Sequence, residues 1–240
     1  MSGHSKWHNI QARKGKQDAL RGNLFTKLGK AISITARAGG GDILSNFSLR
    51  LAVEKAKENN MPKENIERAI KRGTGELEGA QIEEIMYEAF GPGGVAILIK
   101  VLTDNKNRAI SDIKHILSDN VGSMGGAGSV QWMFRLLGVV KISRARFLEN
   151  KEEKELGLIE SGAEDIIEDE EFVEVRTKTE NFQKVLNKIK EFGMEVAESG
   201  LEWVAKEKIS VSDDVREKLE RLFGDLEANE DVDNYFTNAE

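Results

Sequence analysis

Ile82-Glu83-Glu84-Ile85-Met86-Tyr87-Glu88-Ala89-Phe90 is where the hydrophobic period of the chain changes. Ile85, Tyr87 and Ala89 alternate with Glu84, Met86 and Glu88, the two-residue repeat of a half-buried strand. Apolar residues before this stretch recur at three- and four-residue steps. After it, strand and helix patterns alternate. Gly91-Pro92-Gly93-Gly94 then reads as a turn, and 95–102 is almost wholly apolar, the pattern of a central strand. From Asp104 a helix is expected with Ile110, Ile113 and Leu117 inward. The glycine loop 122–128 and a strand at 129–134 complete a β-β-α-β unit.

Downstream a second cycle is expected. It has a strand at 139–142, a highly charged helix over 145–160, and strands at 164–168 and 171–176. A helix carrying Phe182, Val185, Leu186, Ile189 and Phe192 follows, and then a strand ending near Trp203-Val204. This is β-α-β-β-α-β, the split ferredoxin-like motif. The last segment reads as a strand at 207–211, a helix capped by Ser212 and a strand at 231–237. Asp213 and Asp214 suit the positive end of that helix. So short a piece has no core of its own, and it supplies the helix and strand that the sheet begun at Gln81 lacks. The expected fold class is therefore α+β multidomain: an N-terminal three-helix domain plus two ferredoxin-like α/β domains, one inserted in the other. The expected boundaries are 1–78 for the basic helical domain, 79–135 with 205–240 for a discontinuous α/β domain, and 136–204 for the insertion.

Upstream, 18–38 reads as a helix. Leu20, Leu24, Leu28, Ala31, Ile32 and Thr35 form its apolar stripe, and Asn23, Lys27, Lys30 and Arg37 a second, polar one that can face a partner. Gly39-Gly40-Gly41 ends it. A second helix is expected over 46–59, capped by Ser45 or Asn46, and a third begins near Pro62. Ile66, Ala69 and Ile70 give the third helix its apolar face, and Gly73 and Gly75 close it. Residues 1–17 lack either period. Lys6, Arg13, Lys14 and Lys16 crowd there around Trp7. Trp7 can stack on a base or fold back onto the helices as an anchor.

Charge divides the chain in the same way. Residues 1–75 carry 15 Lys and Arg against 6 Asp and Glu, a net +9, while 76–240 carry the remaining 20 and 36, a net −16. A basic module on an acidic body suits a polyanionic partner. The residues expected to meet nucleic acid are Lys6, Trp7, Arg13, Lys14, Lys16, Arg21, Lys27, Lys30, Arg37, Arg50, Lys71 and Arg72.

Other chemistries find little support. The absence of cysteine excludes disulfides and thiolate metal sites and fits a cytoplasmic protein. No apolar run approaches the roughly 18–20 residues needed to span a bilayer, and no secretory signal is evident. His4 and His8 lack a third metal ligand, and Gly3 disfavours a helix there. The loop 122–128 lacks the Lys-Ser/Thr ending and the following helix of a phosphate loop, and reads as a turn that needs positive φ. Acidic runs such as Glu168-Asp169-Glu170-Glu171 read as solvated faces. No catalytic constellation, cofactor or small-molecule substrate is expected.

Several stretches together resemble the YebC family, which is widespread in bacteria and includes a mitochondrial translational activator of cytochrome oxidase. They are Gly3-His4-Ser5-Lys6-Trp7, Phe25-Thr26-Lys27, Gly39-Gly40-Gly41-Asp42, Asn60-Met61-Pro62-Lys63 and Arg68-Ala69-Ile70 in the helical part. Tyr87-Glu88, Gly91-Pro92-Gly93-Gly94-Val95-Ala96, Thr103-Asp104-Asn105-Lys106-Asn107-Arg108 and Gly128-Ser129-Val130 follow. Ile43, Phe47-Ser48 and Phe90 depart from the family pattern. The resemblance implies a helical domain with two α/β domains, one inserted, and a non-enzymatic role in gene expression. The implied role is that of a DNA-binding transcriptional regulator. The alternative is a ribosome- or RNA-binding translation factor that relieves stalls at proline-rich sequences.

Overall fold

The computed structural model describes residues 17–79 and 81–240. Three helices come first: α1 (Gln17–Gly39), α2 (Phe47–Glu58) and α3 (Lys63–Thr74). Their apolar faces close on one core of Leu28, Ile32, Ala36, Leu49, Val53, Ala56, Met61, Ile66 and Ala69. Asn46 joins the first two. Its side-chain oxygen accepts from the Leu49 amide at 3.1 Å and caps α2, while its Nδ2 donates to Thr35 O at 2.8 Å and Gly40 O at 2.7 Å. One buried amide thus satisfies orphan groups at the end of one helix and the start of the next. Ser45 is occupied with Asp42 instead, at 2.9 Å.

The chain separates into two compact units. In one, the helical layer joins β1 (Glu83–Phe90), β2 (Ala96–Thr103), α4 (Lys106–Asp119), β3 (Ser123–Met124) and, through Val211–Tyr235, α8 (Asp213–Ala228) and most of β8 (Val232–Thr237). The strand order is β3-β1-β2-β8, and β1 and β2 form an antiparallel hairpin from Glu83↔Thr103 to Phe90↔Ala96. Every residue of β2 except Lys100 is buried, as its apolar run requires. Ala109, Ile113 and Leu117 of α4 and Leu219, Leu222, Phe223 and Leu226 of α8 are buried, and the Phe223 ring stacks on Tyr235 at 4.5 Å.

The other unit comprises Trp132–Ser210 and Phe236–Glu240. Its elements are β4 (Phe134–Ser143), α5 (Arg144–Leu148), α6 (Lys151–Ser161), β5 (Ala163–Glu168), β6 (Phe172–Lys178), α7 (Phe182–Glu191) and β7 (Val196–Ala205). The order β5-β6-β4-β7 with this connectivity is the split ferredoxin-like motif. Buried Lys141 pairs with the exposed Glu198, and Arg176 Nε donates to buried Glu174 at 2.6 Å, so each buried charge on these strands has a partner. The molecule is thus an α+β protein with a helical N-terminal domain and two α/β domains.

Four expectations change. Residues 129–134 are not a strand of the first sheet: its short edge strand is Ser123–Met124, within the glycine loop. Phe134 instead opens a ten-residue strand that absorbs 139–142. Gly138 lies inside that strand, where the Phe182 ring fills the face that its missing side chain leaves open. A Cβ there would stand 2.5 Å from that ring. The charged helix divides at Asn150, whose φ of 58° interrupts it. The segment 207–211 makes only an isolated bridge, Ile209 to Ala239.

We propose that 1–78, 79–135 with 205–240, and 136–204 are the domain boundaries. Residues 132–210 expressed alone, which keep β4 and β7 whole, should then unfold cooperatively by circular dichroism, and a fragment without secondary structure would count against the insertion. Asn46→Ala should lower stability of the whole chain by about 2 kcal/mol in a denaturant titration. Asn46→Asp, which keeps the cap acceptor and loses both donors, should fall between.

Candidate nucleic-acid interface

The polar stripe of α1 does not face outward along its length. Asn23 Nδ2 donates to Ala228 O at 2.7 Å, Lys27 Nζ to Glu227 O at 2.7 Å and Lys30 Nζ to Glu230 O at 2.9 Å. Three side chains at i, i+4 and i+7 therefore meet the carbonyl-bearing end of α8 and the residues just past it, where a helix leaves acceptors unsatisfied and carries partial negative charge. Lys30 also reaches Asp231 Oδ1 at 2.6 Å. Asp231 is 2% exposed and is held from the other side by Arg108, Nη2 to Oδ2 at 2.9 Å and Nε to Oδ2 at 3.2 Å. Burial pushes the Asp231 carboxyl up, but the hydrogen bonds and charges of Lys30 and Arg108 outweigh it and hold the pKa below its usual range. Lys27 and Lys30, expected to meet phosphates, are engaged within the fold because this end of α8 offers acceptors closer than any partner.

Arg37, Lys71 and Arg72 remain exposed and make no ion pair among the described residues. Two of them are brought together by a close crossing of α1 and α3. Ser33 Oγ donates to Ala69 O at 2.8 Å, and Gly73 lies so near that a Cβ would stand 2.3 Å from Ser33 O and 2.8 Å from the Ala36 Cβ. The residues next to these contacts, Arg37 and Arg72, then line one open depression of about 440 Å³. Gly75 ends α3 with φ of 81°, and the amides of Glu76 and Leu77 return to Lys71 O, which turns the chain along the rim. Arg50 is half-buried, with its guanidinium 5.2 Å from the Phe47 ring centroid. The side chain of Arg21 and all of Lys6, Trp7, Arg13, Lys14 and Lys16 lie outside the described residues.

The glycine loop is an amide cradle, already filled from within. Glu88 is buried and accepts from the amides of Gly128 at 2.5 Å, Val130 at 2.6 Å and Gln131 at 2.9 Å. Burial works against its charge, yet these bonds prevail and its pKa lies below the usual carboxylate range. Gly128 has the positive φ, 78°, that such a turn needs. Neither Glu88 nor Asp231 stands out from the many carboxylates of the sequence. The local signal for Glu88 is its place in a strand facing a run of glycines. Among the described residues no three His, Asp or Glu could hold a metal ion, and His115 is an exposed partner of Asp119 at 3.4 Å.

Lys27 gives the contact between α1 and α8 a pH signature. Burial lowers its pKa from 10.5 to about 8, against the pull of Asp233 and Glu227. A folded pKa below the unfolded one means that the unfolded chain holds more protons between pH 8 and 10.5. Stability from this group therefore rises with pH across that window. The stability of the native chain relative to Lys27→Met should grow by on the order of 2 kcal/mol between pH 7.5 and 10. A flat difference in denaturant titrations would show an amine as well solvated in the fold as out of it.

Comparison with known proteins agrees with this architecture. The family model for the N-terminal domain of TACO1/YebC proteins matches residues 5–76, and the model for their second and third domains matches 82–239. A probable transcriptional regulatory protein of Caldanaerobacter subterraneus is 47% identical over 240 residues, covering 100% of this chain and 98% of that protein. One from Maridesulfovibrio salexigens is 48% identical, covering 100% and 96%. The crystal structure of a conserved hypothetical protein from Aquifex aeolicus superposes with a TM-score of 0.85 at 37% identity, covering 98% of this chain and 96% of that one. With both models in sequence order and relatives alike along the full length, the chain belongs to the TACO1/YebC family.

Proposed function

We propose that the protein is a nucleic-acid-binding regulator of gene expression that works through its N-terminal helical domain. The observation that carries this reading is that the exposed cations Arg37, Lys71 and Arg72 make no ion pair among the described residues and that two of them, Arg37 and Arg72, line one depression. Lys27, Lys30 and Arg108 are matched to internal acceptors. Guanidinium groups left free beside a depression suit phosphate, which they can grip with two parallel bonds. The acidic remainder of the chain keeps a polyanion to this domain. The role needs no cofactor, membrane or catalytic step, and its place is the cytoplasm.

Two partners fit. The names of the relatives, probable transcriptional regulatory proteins, support duplex DNA and control of transcription. The concave setting of Arg37 and Arg72 supports RNA on the ribosome and a role in translation. A duplex reader presents a projecting helix or ribbon to a groove, whereas irregular RNA is gripped by backbone contact and stacking.

A competition at physiological salt between ribosomes and promoter-length duplex tests the choice, and the partner retained at equal site concentration is the functional one. Arg37→Gln, Lys71→Gln and Arg72→Gln together should weaken binding. Every phosphate that the variant no longer grips should lower the slope of log affinity against log salt by roughly 0.7–0.9. Unchanged affinity and slope in the triple variant would remove the interface from this face.

A further inference from the structure

The depression between α1, α3 and the start of β1 has more than charge. Arg37 and Arg72 stand on its rim, while Ile82, 8% exposed, and Leu77 line it with apolar surface. Gln81 and Glu78 add an amide and a carboxylate. Its volume of about 440 Å³ lies within the roughly 300–1,000 Å³ of small-ligand sites. This combination is poorly matched to the outside of a double helix. A paired duplex offers phosphates on a convex ridge and keeps the faces of its bases stacked inside, so Leu77 and Ile82 would meet only water. A carboxylate among the lining groups is also wrong for a site that takes phosphate alone.

We propose that this depression binds one unpaired nucleotide of a single strand, with its phosphate on Arg37 and Arg72 and its base against Leu77 and Ile82. The inference rests on the nucleic-acid reading above and specifies its ligand. Leu77 and Ile82 supply a surface for the apolar face of a base, and a guanidinium plane beside it can stack as well as pair. Gln81 can exchange hydrogen bonds with a base edge. Glu78 accepts from an exocyclic amine, which reconciles a carboxylate with a polyanionic ligand. The close crossing at Gly73 matters here because it sets the separation of the two arginines. The chain reversal at Gly75 then brings Leu77 and Glu78 back alongside them.

The test uses the full-length chain and fluorescent 12-nucleotide probes at physiological salt. The probes are an unstructured RNA strand, the matching DNA strand, a duplex of the same sequence and an abasic strand of the same length. The expected result is at least tenfold tighter binding of the unpaired strands than of the duplex and the abasic strand. Arg37→Gln with Arg72→Gln should lower affinity for both intact and abasic strands about tenfold. Leu77→Ala should lower it several-fold for the intact strands and leave the abasic strand unchanged. All three side chains are exposed, so thermal melts of these variants should match the parent. Preference for RNA over the DNA strand identifies a ribonucleotide, and equal binding identifies an unpaired nucleotide of either sugar. Both uphold the proposal. Equal affinity for duplex, intact and abasic strands, or a Leu77→Ala variant with unaltered strand binding, overturns it while the nucleic-acid reading stands. Binding of none of the four probes by folded protein overturns both.

Discussion

A carboxylate buried to 2% exposure has to be compensated by partners, and Asp231 has two. Lys30 approaches from the N-terminal helical layer, and Arg108 from the helix that follows the central hairpin. Removing both would leave a buried carboxylate uncompensated, which is far more costly than losing a surface ion pair. The Asp231 backbone also accepts from Leu102 at 2.8 Å, so the residue is tied to the sheet as well. Around this point Asn23 and Lys27 cover the end of α8. The helical domain is thus attached to the first α/β domain by charge and by capping.

Glu88 solves the same problem without a cation. Three loop amides and the Ser129 hydroxyl, the latter at 3.5 Å, surround it. The two buried acids divide the work. Asp231 joins elements distant in sequence, while Glu88 gives one irregular loop a single shape. Glycines in that loop turn the amides inward, and the carboxylate that fills them belongs to β1, so the loop and the strand specify each other.

Much of the architecture was legible. The change of period at Ile82 separated the helical domain from the sheets, and the expected terminal helix and strand do join the unit of the first sheet, with β8 beside β2. Boundaries failed where local pattern and packing disagreed. Gly138 weakens a strand by propensity, yet the Phe182 ring needs its bare face. The candidate site was legible only by composition. Lys27, Lys30 and Arg37 share one polar stripe of α1, and periodicity cannot distinguish a cation facing a partner from one facing a carbonyl 200 residues away. The depression was invisible for a related reason. Arg37, Arg72 and Ile82 come from a helix, a second helix and a linker, and only the Ser33–Gly73 crossing brings them together.

The capping of α8 by α1 also bears on how the chain is made. Asn23 and Ala228 are 205 residues apart, so the first described helix has a polar face whose partners are synthesised about 200 residues later. Domains of a nascent chain fold largely as they emerge, and contacts of long sequence separation form late. The helical domain can close its own apolar core early, since Leu28 to Ala69 are all present by then. Its polar face, Asn23, Lys27 and Lys30, is completed only when the residues at and just past the end of α8 that accept from it are present, so the two layers close as one step of long sequence separation.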